Sequence, residues 1–255
     1  MIDLEADAAL AADLVREAGE LARGLLVSGL AVDTKSSVSD VVTAADRAAE
    51  RLVVDHLATF RPDDGLLGEE GAERVGRSGR RWVIDPVDGT YNFVHGLPWW
   101  CSALALVDEG GPVLGAVHHP AEDVLYVGGP QLPTTRNGIR VAPLPDPPLG
   151  EVCVATYLHP PFLHGVVGAT FARVVRGAAT LRMLGSGSLD LAAVAQGHLG
   201  VFVQHSVADW DWFPGSALVL GAGGVARRTR AGGVEWSVAG GPRAVAEVCA
   251  ALEDR

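Results

Sequence analysis

Cysteines are scarce in this sequence, and long hydrophobic runs are absent. Among 255 residues there are three cysteines, at positions 101, 153 and 249. An odd number of widely spaced cysteines is typical of reduced thiols rather than a disulfide framework, so we expect a cytoplasmic protein. No stretch of about 18 apolar residues occurs, so no membrane-spanning helix is predicted. The first residues are acidic and lack the basic segment of a signal peptide.

Basic residues are outnumbered as well. The chain has 20 lysine and arginine residues against 31 aspartate and glutamate residues, which gives a formal net charge of −11 at pH 7. Such a surface repels polyanions, so we expect no nucleic-acid partner. Hydrophobic residues make up 48% of the chain, enough for a packed core in one large domain or two subdomains.

Hydrophobic spacing in the first half predicts two helices followed by an antiparallel meander. The helices are expected over residues 3–28 and 44–60, with Thr43 as the N-cap of the second. The meander is expected over the strand-like runs 101–108, 112–118 and 123–128, which are separated by turns.

The second half of the sequence alternates strands and helices. Residues 129–150 are rich in proline and are predicted to cross between an N-terminal α+β subdomain, 1–140, and a C-terminal α/β subdomain, 141–255. A surface loop is predicted over 73–81. The remaining predicted elements are strands 151–157, 180–184, 200–204 and 224–229, and helices 161–173, 187–197, 213–221 and 242–252.

The stretch Asp85-Pro86-Val87-Asp88-Gly89-Thr90 carries the clearest chemical signal. It directly follows the apolar residues 82–84, which read as a buried strand. Two carboxylates on a rigid turn can share hard cations, and the Val87 carbonyl between them adds a third oxygen. The same residues also fit an ordinary type I β-turn, with Thr90 as the cap of the next segment. The motif alone leaves both interpretations open.

Three further blocks accompany this motif. They are Val42-Thr43-Ala44-Ala45-Asp46 with Glu50, then Gly68-Glu69-Glu70, then Trp210-Asp211 followed by Gly215 and Ala222-Gly223-Gly224. Together with residues 85–93, these blocks resemble the inositol monophosphatase family, and the resemblance extends from about Lys35 to Gly224. It implies an α+β fold, the layered αβαβα sandwich of that family, with a metal site between the subdomains.

The resemblance also implies a reaction and its metal ligands. The expected reaction is Mg²⁺-dependent hydrolysis of a small phosphate monoester, with inositol monophosphate as the first candidate, by water that two metal ions activate. On the family pattern, Glu69, Asp85 and the Val87 carbonyl hold one ion, and Asp85, Asp88 and Asp211 hold the second. A homodimer is expected. Asp209 competes with Asp211 when the residues are read alone, and the family pattern of Trp-Asp before the helix selects Asp211. Pro214 suits the first turn of that helix.

Further residues receive roles from the resemblance or from local chemistry. Catalytic roles are expected for Thr90, Glu69, Asp46 and Lys35, although Asp46 and Lys35 fit solvated charges equally well. Substrate binding is expected for Gly89, Thr90, Gly187 and Gln204. The alternative for residues 185–188 is a strand-to-helix loop with a capping serine. Gln204 stands where much of the inositol-hydrolysing branch carries glutamate, so substrate choice is open.

Other functions fit parts of the pattern. Histidinol phosphate and sugar bisphosphates are alternative substrates, and a catalytically weak regulatory protein is an alternative of another class. Asp88-Gly89-Thr90 also resembles the haloacid dehalogenase pattern Asp-x-Asp-Gly-Thr, whose first aspartate is a nucleophile. Here Pro86 occupies that position, and Asp85 lies three residues before Asp88, a spacing that puts strand side chains on different faces. We therefore expect direct attack by water without a covalent intermediate.

Overall fold

The computed structural model describes residues 3–28, 32–34 and 41–253. Within these ranges the helices are α1 Leu4–Val27, α2 Ala44–Phe60, α3 Thr90–Val94, α4 Gly165–Gly177, α5 Gly187–Ala195, α6 Asp209–Gly221 and α7 Pro242–Glu253. The strands are β1 Val32–Thr34, β2 Val41–Thr43, β3 Gly65–Gly68, β4 Glu73–Arg74, β5 Arg81–Asp88, β6 Cys101–Asp108, β7 Gly111–His119, β8 Val124–Gly129, β9 Leu132–Arg136, β10 Ile139–Arg140, β11 Cys153–Ala155, β12 Thr180–Arg182, β13 Val201–His205, β14 Val225–Ala231 and β15 Val234–Gly240. Short 3₁₀ helices cover Leu149–Glu151 and Pro160–Phe162.

Two large mixed sheets organise these elements. The first has eight strands in the order β10-β9-β8-β7-β6-β5-β3-β4, and the second has five in the order β12-β11-β13-β15-β14. In the first sheet β3 and β5 run parallel, while β5 to β8 form an antiparallel meander. Strands β1 and β2 form a separate antiparallel pair.

Helices cover the faces of both sheets and produce five layers. Leu14 of α1 and Leu57 of α2 pack with Trp82 and Leu104 on the outer face of the eight-stranded sheet. Helices α5 and α6 lie between the sheets, where Leu218 of α6 shares a cluster with residues of both. Helices α4 and α7 pack on the outer face of the five-stranded sheet. The order is α, β, α, β, α, which confirms the predicted α+β sandwich.

The strongest sequence patterns correspond closely to observed elements. Helices α1 and α2 match the predictions for residues 3–28 and 44–60, and the meander matches β6 to β8. The capping role predicted for the Thr43 side chain lies outside what the structure describes.

Other predictions were wrong. The proline-rich stretch is not simply a crossover, because β9 and β10 extend the first sheet before the chain leaves it. Pro133 is tolerated within β9 because it lies beside the register shift between Val127 and Gly129, where ladder pairing is interrupted. The predicted surface loop 73–81 contains β4, and strand β15 was missed altogether.

Helix α6 begins earlier than predicted. It starts at Asp209, so Pro214 lies inside the helix and not in its first turn. Two aspartates in the first turn favour this earlier start, because negative charge stabilises the N-terminal end of a helix. The segment in which Asp209 and Asp211 alternate with aromatic residues is therefore helical.

The predicted division of the chain after residue 140 stays a prediction. The eight-stranded sheet comes from residues before that point and the five-stranded sheet from residues after it. Helix α6, however, contacts β5 to β8 of the first sheet. None of the helices in the described part of the chain has the length and apolar character needed to cross a membrane.

Candidate active site

Four carboxylates from three elements meet between the two sheets. Asp85 and Asp88 belong to β5, and Asp211 lies in the first turn of α6. These three residues offer carboxylate oxygens that all lie within 4.8 Å of one another. Glu69 directly follows β3, and its backbone N–H donates to the carbonyl of Ile84, 3.2 Å away on β5. Because β3 and β5 are parallel, both strands end at the same edge and deliver their acids together.

A bulge in β5 brings Asp85 and Asp88 to one side. Asp85 pairs with Ala103 and Asp88 with Cys101, so the four residues 85–88 of β5 lie opposite only the three residues 101–103 of β6. The expectation that a three-residue spacing separates the two side chains is therefore wrong here, because the extra residue re-aims Asp88. The Ser102 hydroxyl donates to the Pro86 carbonyl at 2.5 Å within this bulge.

Burial and mutual repulsion raise the pKa values of this cluster. Burial, followed by the charge of Asp211, raises the pKa of Glu69 to about 9. Burial and the charge of Asp88 raise the pKa of Asp211 to about 7. Burial and then the charge of Glu69 raise the pKa of Asp85 well above its usual value. The cluster therefore resists full ionisation unless a cation compensates its charge.

The donor set fits a hard divalent cation. Asp85 is fully buried, and neither of its carboxylate oxygens accepts a hydrogen bond from the described residues. Buried carboxylate oxygens without donors are costly unless they coordinate a metal. Carboxylates and a backbone carbonyl are the oxygen ligands that such ions take.

Asp88 also contacts the N-terminal end of α5. Its carboxylate oxygens accept the backbone N–H groups of Gly187 at 3.1 Å and Ser188 at 2.5 Å. Burial raises the pKa of Asp88, while these donors lower it, and the net direction is upward. The Ser186 hydroxyl accepts the N–H of Leu189 at 3.3 Å, which makes Ser186 the cap of α5. The predicted substrate contact of Gly187 stays a prediction.

Gly89 and Thr90 form the entry of α3. Gly89 has φ of +95°, and a side chain there would approach the Trp99 carbonyl at 3.0 Å, so glycine is required. Thr90 is the first helical residue, and its hydroxyl donates to the Val87 carbonyl at 3.0 Å. The predicted N-cap role of Thr90 is wrong, because its side chain points back to the turn that holds the carboxylates.

A cavity of about 190 Å³ opens above the carboxylates. Seven residues singled out from the sequence line it: Glu69, Asp88, Gly89, Thr90, Gly187, Gln204 and Asp211. Asp85 and Val87 are buried beside them, and Asp46 is close enough that its charge raises the pKa of Glu69. Lys35 lies outside the described residues.

Several lining residues had no signal in the sequence. Tyr157 and His159 reach the cavity from the loop after β11, and their rings contact edge to face at 4.6 Å between centroids. Asp190 of α5 is buried and accepts the indole N–H of Trp99 at 3.0 Å. Asn92 was within the recognised motif, and its amide donates to the carbonyls of Trp99 and Leu184, both at 2.7 Å. For Tyr157, His159 and Asp190, only the tertiary structure shows that they lie at the cavity.

An αβαβα sandwich with a hard-cation site at its strand ends defines a metal-dependent class of phosphatase folds. The sequence profile described as "Inositol monophosphatase family" matches residues 3–252, and this chain belongs to that family. It is a phosphoric monoester hydrolase, as the sequence predicted. The family is metal-dependent, in agreement with the carboxylate cluster.

Individual relatives support this assignment. The chain is 38% identical over 231 residues to an inositol-1-monophosphatase of Rhizobium meliloti, covering 86% of this chain and 81% of the relative. It is 36% identical over 194 residues to a Thermotoga maritima protein named fructose-1,6-bisphosphatase/inositol-1-monophosphatase, covering 76% and 73%. The solved structure of an IMPase from Thermotoga maritima superposes with a TM-score of 0.82 at 30% identity, covering 97% of this chain and 96% of that one.

Proposed function

We propose that this chain hydrolyses a small phosphate monoester with the help of Mg²⁺, and that inositol monophosphate is its first candidate substrate. The observation that carries the proposal is Asp85, whose two buried oxygens have no donor among the described residues, beside a cavity that four more acidic side chains line: Glu69, Asp88, Asp190 and Asp211. That arrangement suits a bound hard cation facing an anionic substrate.

The carboxylates divide between two ion positions. Glu69, Asp85 and the Val87 carbonyl form one oxygen set, and Asp85, Asp88 and Asp211 form the other. Mg²⁺ held there would neutralise the charge of the ester and acidify water. Because Asp85 belongs to both sets, its lack of other partners is expected.

The remaining residues orient the reactants. Backbone N–H groups at Gly89 and Thr90 bind phosphate oxygens. The Thr90 hydroxyl and the Glu69 carboxylate would hold the attacking water, the Glu69 carboxylate would take up its proton, and Asp46 would assist from α2. Water attacks phosphorus in line with the leaving oxygen. Pro86 occupies the position where a covalent mechanism would need an aspartate.

A sugar bisphosphate is the second candidate substrate. The Thermotoga maritima relative is named for a fructose-1,6-bisphosphatase activity as well. Gln204 lines the cavity and carries no charge, so it does not repel a second anionic group on the substrate.

A phosphate-release assay tests the proposal. Purified protein is incubated with inositol 1-phosphate, fructose 1,6-bisphosphate and histidinol phosphate, with Mg²⁺ and with excess EDTA. We expect phosphate to be released from inositol 1-phosphate or from fructose 1,6-bisphosphate, and only when Mg²⁺ is present. Equal release in EDTA would refute the metal-dependent mechanism, and release from histidinol phosphate alone would refute the substrate assignment.

The protein is further proposed to be a cytoplasmic homodimer. Light scattering after size-exclusion chromatography gives its mass in solution, for which a dimer predicts twice the 26.5 kDa of the chain. Recovery of the native protein in a soluble fraction free of membranes tests its location.

A further inference from the structure

We infer that Asp209 is a positioning residue, whose ion pairs with Arg81 and Arg228 hold the first turn of α6 so that Asp211 faces Asp85 and Asp88. This inference rests on the proposed function, because it treats Asp211 as a metal ligand. Asp209 itself does not contact the cluster. It acts on the position of Asp211 through the first turn of α6, which it begins.

One carboxylate links three elements. Asp209 Oδ2 lies 3.4 Å from Nη2 of Arg81, and its Oδ1 lies 3.0 Å from Nη1 of Arg228. Arg81 is the first residue of β5, the strand that carries Asp85 and Asp88. Arg228 belongs to β14 of the five-stranded sheet. The pair between Arg81 and Asp209 therefore joins the two elements that must bring their acids together.

The position of Asp211 needs such support. Its carboxylate oxygen lies within 4.8 Å of those of Asp85 and Asp88, so any negative charge on these acids repels α6 from β5 before a cation binds. The N-cap of α6, Ala208, makes no side-chain capping bond that would hold the helix start. The guanidinium of Arg228 also lies 5.8 Å from the centre of the Trp212 ring, which favours one orientation of the first turns.

Simple electrostatics and positioning predict opposite results at Arg81. If only charge matters, removing this cation from the vicinity of the site strengthens cation binding. If Arg81 positions α6 through Asp209, removing it weakens binding, because part of the binding free energy is then spent on reassembling the ligands. The substitution Arg81→Gln separates the two explanations by sign.

The experiment measures metal binding directly, without turnover. Mg²⁺ is titrated into the metal-free protein by isothermal titration calorimetry, for wild type, Arg81→Gln, Asp209→Asn, the double variant and Asp211→Asn. Asp63→Asn is the matched control, since Asp63 is an exposed aspartate that also pairs with an arginine, Arg77. Thermal denaturation verifies that each variant folds.

We expect Arg81→Gln and Asp209→Asn each to weaken Mg²⁺ binding about three- to tenfold, and the double variant to lose no more than the stronger single variant. Asp63→Asn should bind as wild type does. Unchanged or tighter binding in Arg81→Gln would overturn the inference, as would additive losses in the double variant.

Asp211→Asn separates this inference from the proposed function. If Asp211→Asn loses binding while Arg81→Gln and Asp209→Asn retain it, only the positioning role is wrong. If Asp211→Asn binds Mg²⁺ as wild type does, the ligand assignment is wrong, and the positioning role is overturned with it.

Discussion

At the scale of single residues, Asp88 has two functions that a substitution can separate. Its carboxylate belongs to the acidic cluster and also accepts two N–H groups at the start of α5. An asparagine keeps the shape and one acceptor oxygen but loses the charge.

We predict that Asp88→Asn lowers kcat/KM by about 100-fold or more. It removes a charged metal ligand, and a bound metal ion stabilises the charge of the transition state by several kcal/mol. Loss of an acceptor for one N–H is offset by relief of repulsion, so the free energy of unfolding should change little. Steady-state kinetics at saturating Mg²⁺ and urea denaturation measure the two effects. Near wild-type kcat/KM would contradict the metal assignment.

Gln204 is the residue where substrate choice can be changed. It lines the cavity, and its amide makes no hydrogen bond with the other described residues, so it is available to a ligand.

Gln204→Glu should raise the ratio of kcat/KM for inositol 1-phosphate over fructose 1,6-bisphosphate. A new negative charge accepts hydrogen bonds from hydroxyls and repels a second phosphate, an effect of about 1–3 kcal/mol or roughly 5- to 150-fold. The exposed Gln131→Glu is the matched control. The same ratio in Gln204→Glu and wild type would show that this side chain does not contact the substrate.

At the scale of elements, helix α2 positions the loop that carries Glu69. The Glu50 carboxylate is buried and accepts the N–H groups of Glu70 at 2.9 Å and Ala72 at 3.0 Å. A side chain at Gly68 would come within 2.2 Å of Glu50 Oε2, so glycine makes room for this contact.

Glu50→Gln is expected to lower the free energy of unfolding by about 1–3 kcal/mol, since its amide NH₂ meets one backbone donor and leaves that donor unsatisfied. Because the same loop holds Glu69, Mg²⁺ binding should weaken as well. Denaturant unfolding and calorimetry provide the two measurements, and the exposed Glu17→Gln is the control. Weaker folding with unchanged Mg²⁺ binding would limit Glu50 to a structural role.

A second buried acid ties α1 and the segment after α2 to β5. Asp64 accepts the indole N–H of Trp82 at 2.9 Å and Nη2 of Arg80 at 2.7 Å, while Nη1 of Arg80 reaches Asp7 of α1 at 2.6 Å. Burial raises the pKa of Asp64, but hydrogen bonds from Ser78, Arg80 and Trp82 together lower it by more. The net shift of the pKa is therefore downward.

Asp64→Asn should destabilise the fold by about 1–3 kcal/mol, because it removes one of the two carboxylates that pair with the largely buried Arg80, while the pair with Asp7 remains. In wild type, a lowered folded pKa means that this stabilisation is present above the unfolded value of 3.8 and is lost as pH falls through the folded pKa. Unfolding free energies measured from about pH 5 downward test both statements. If Asp64→Asn lowered the free energy of unfolding no more than the exposed Asp63→Asn does, the stabilising role of Asp64 would be contradicted.

At the scale of the whole molecule, the site lies where the two sheets approach each other. Strand β5 of the first sheet provides Asp85 and Asp88, the residue after β3 is Glu69, and α6 from the layer between the sheets provides Asp211. A cation bound there joins layers, so it should stabilise the fold as a whole.

We predict that Mg²⁺ raises the thermal midpoint and that its effect grows with pH. In the metal-free protein, Glu69 and Asp211 have pKa values raised to about 9 and about 7. Groups with raised folded pKa values favour the folded state at low pH, and that contribution is lost as pH rises through the folded values. The free energy of unfolding of the metal-free protein therefore falls from about pH 4, near the unfolded values of 3.8 and 4.5, to about pH 9, and bound Mg²⁺ opposes this loss.

Differential scanning calorimetry with Mg²⁺ and with EDTA across this pH range measures the difference. Asp88→Asn serves as the control and should show a much smaller effect of Mg²⁺. A constant difference between the two forms at every pH would mean that the cluster does not titrate in this range.

The sequence by itself determined the parts of this protein that depend on near neighbours. Helical spacing determined α1 and α2, strand-like runs separated by turns determined β6 to β8, and the types of residue around Asp85 indicated hard-cation chemistry. These features follow from local periodicity and side-chain chemistry, which a linear pattern records directly.

Only the tertiary structure decided which residues meet. The β5 bulge that aligns Asp85 with Asp88 depends on pairing with β6. Asp209 pairs with Arg81 and Arg228, while Asp211 joins the cluster. Tyr157 and His159 reach the cavity because β11 pairs inside the second sheet. Strand pairing and ion pairs between distant segments have no period along the chain, so no sequence pattern could show them.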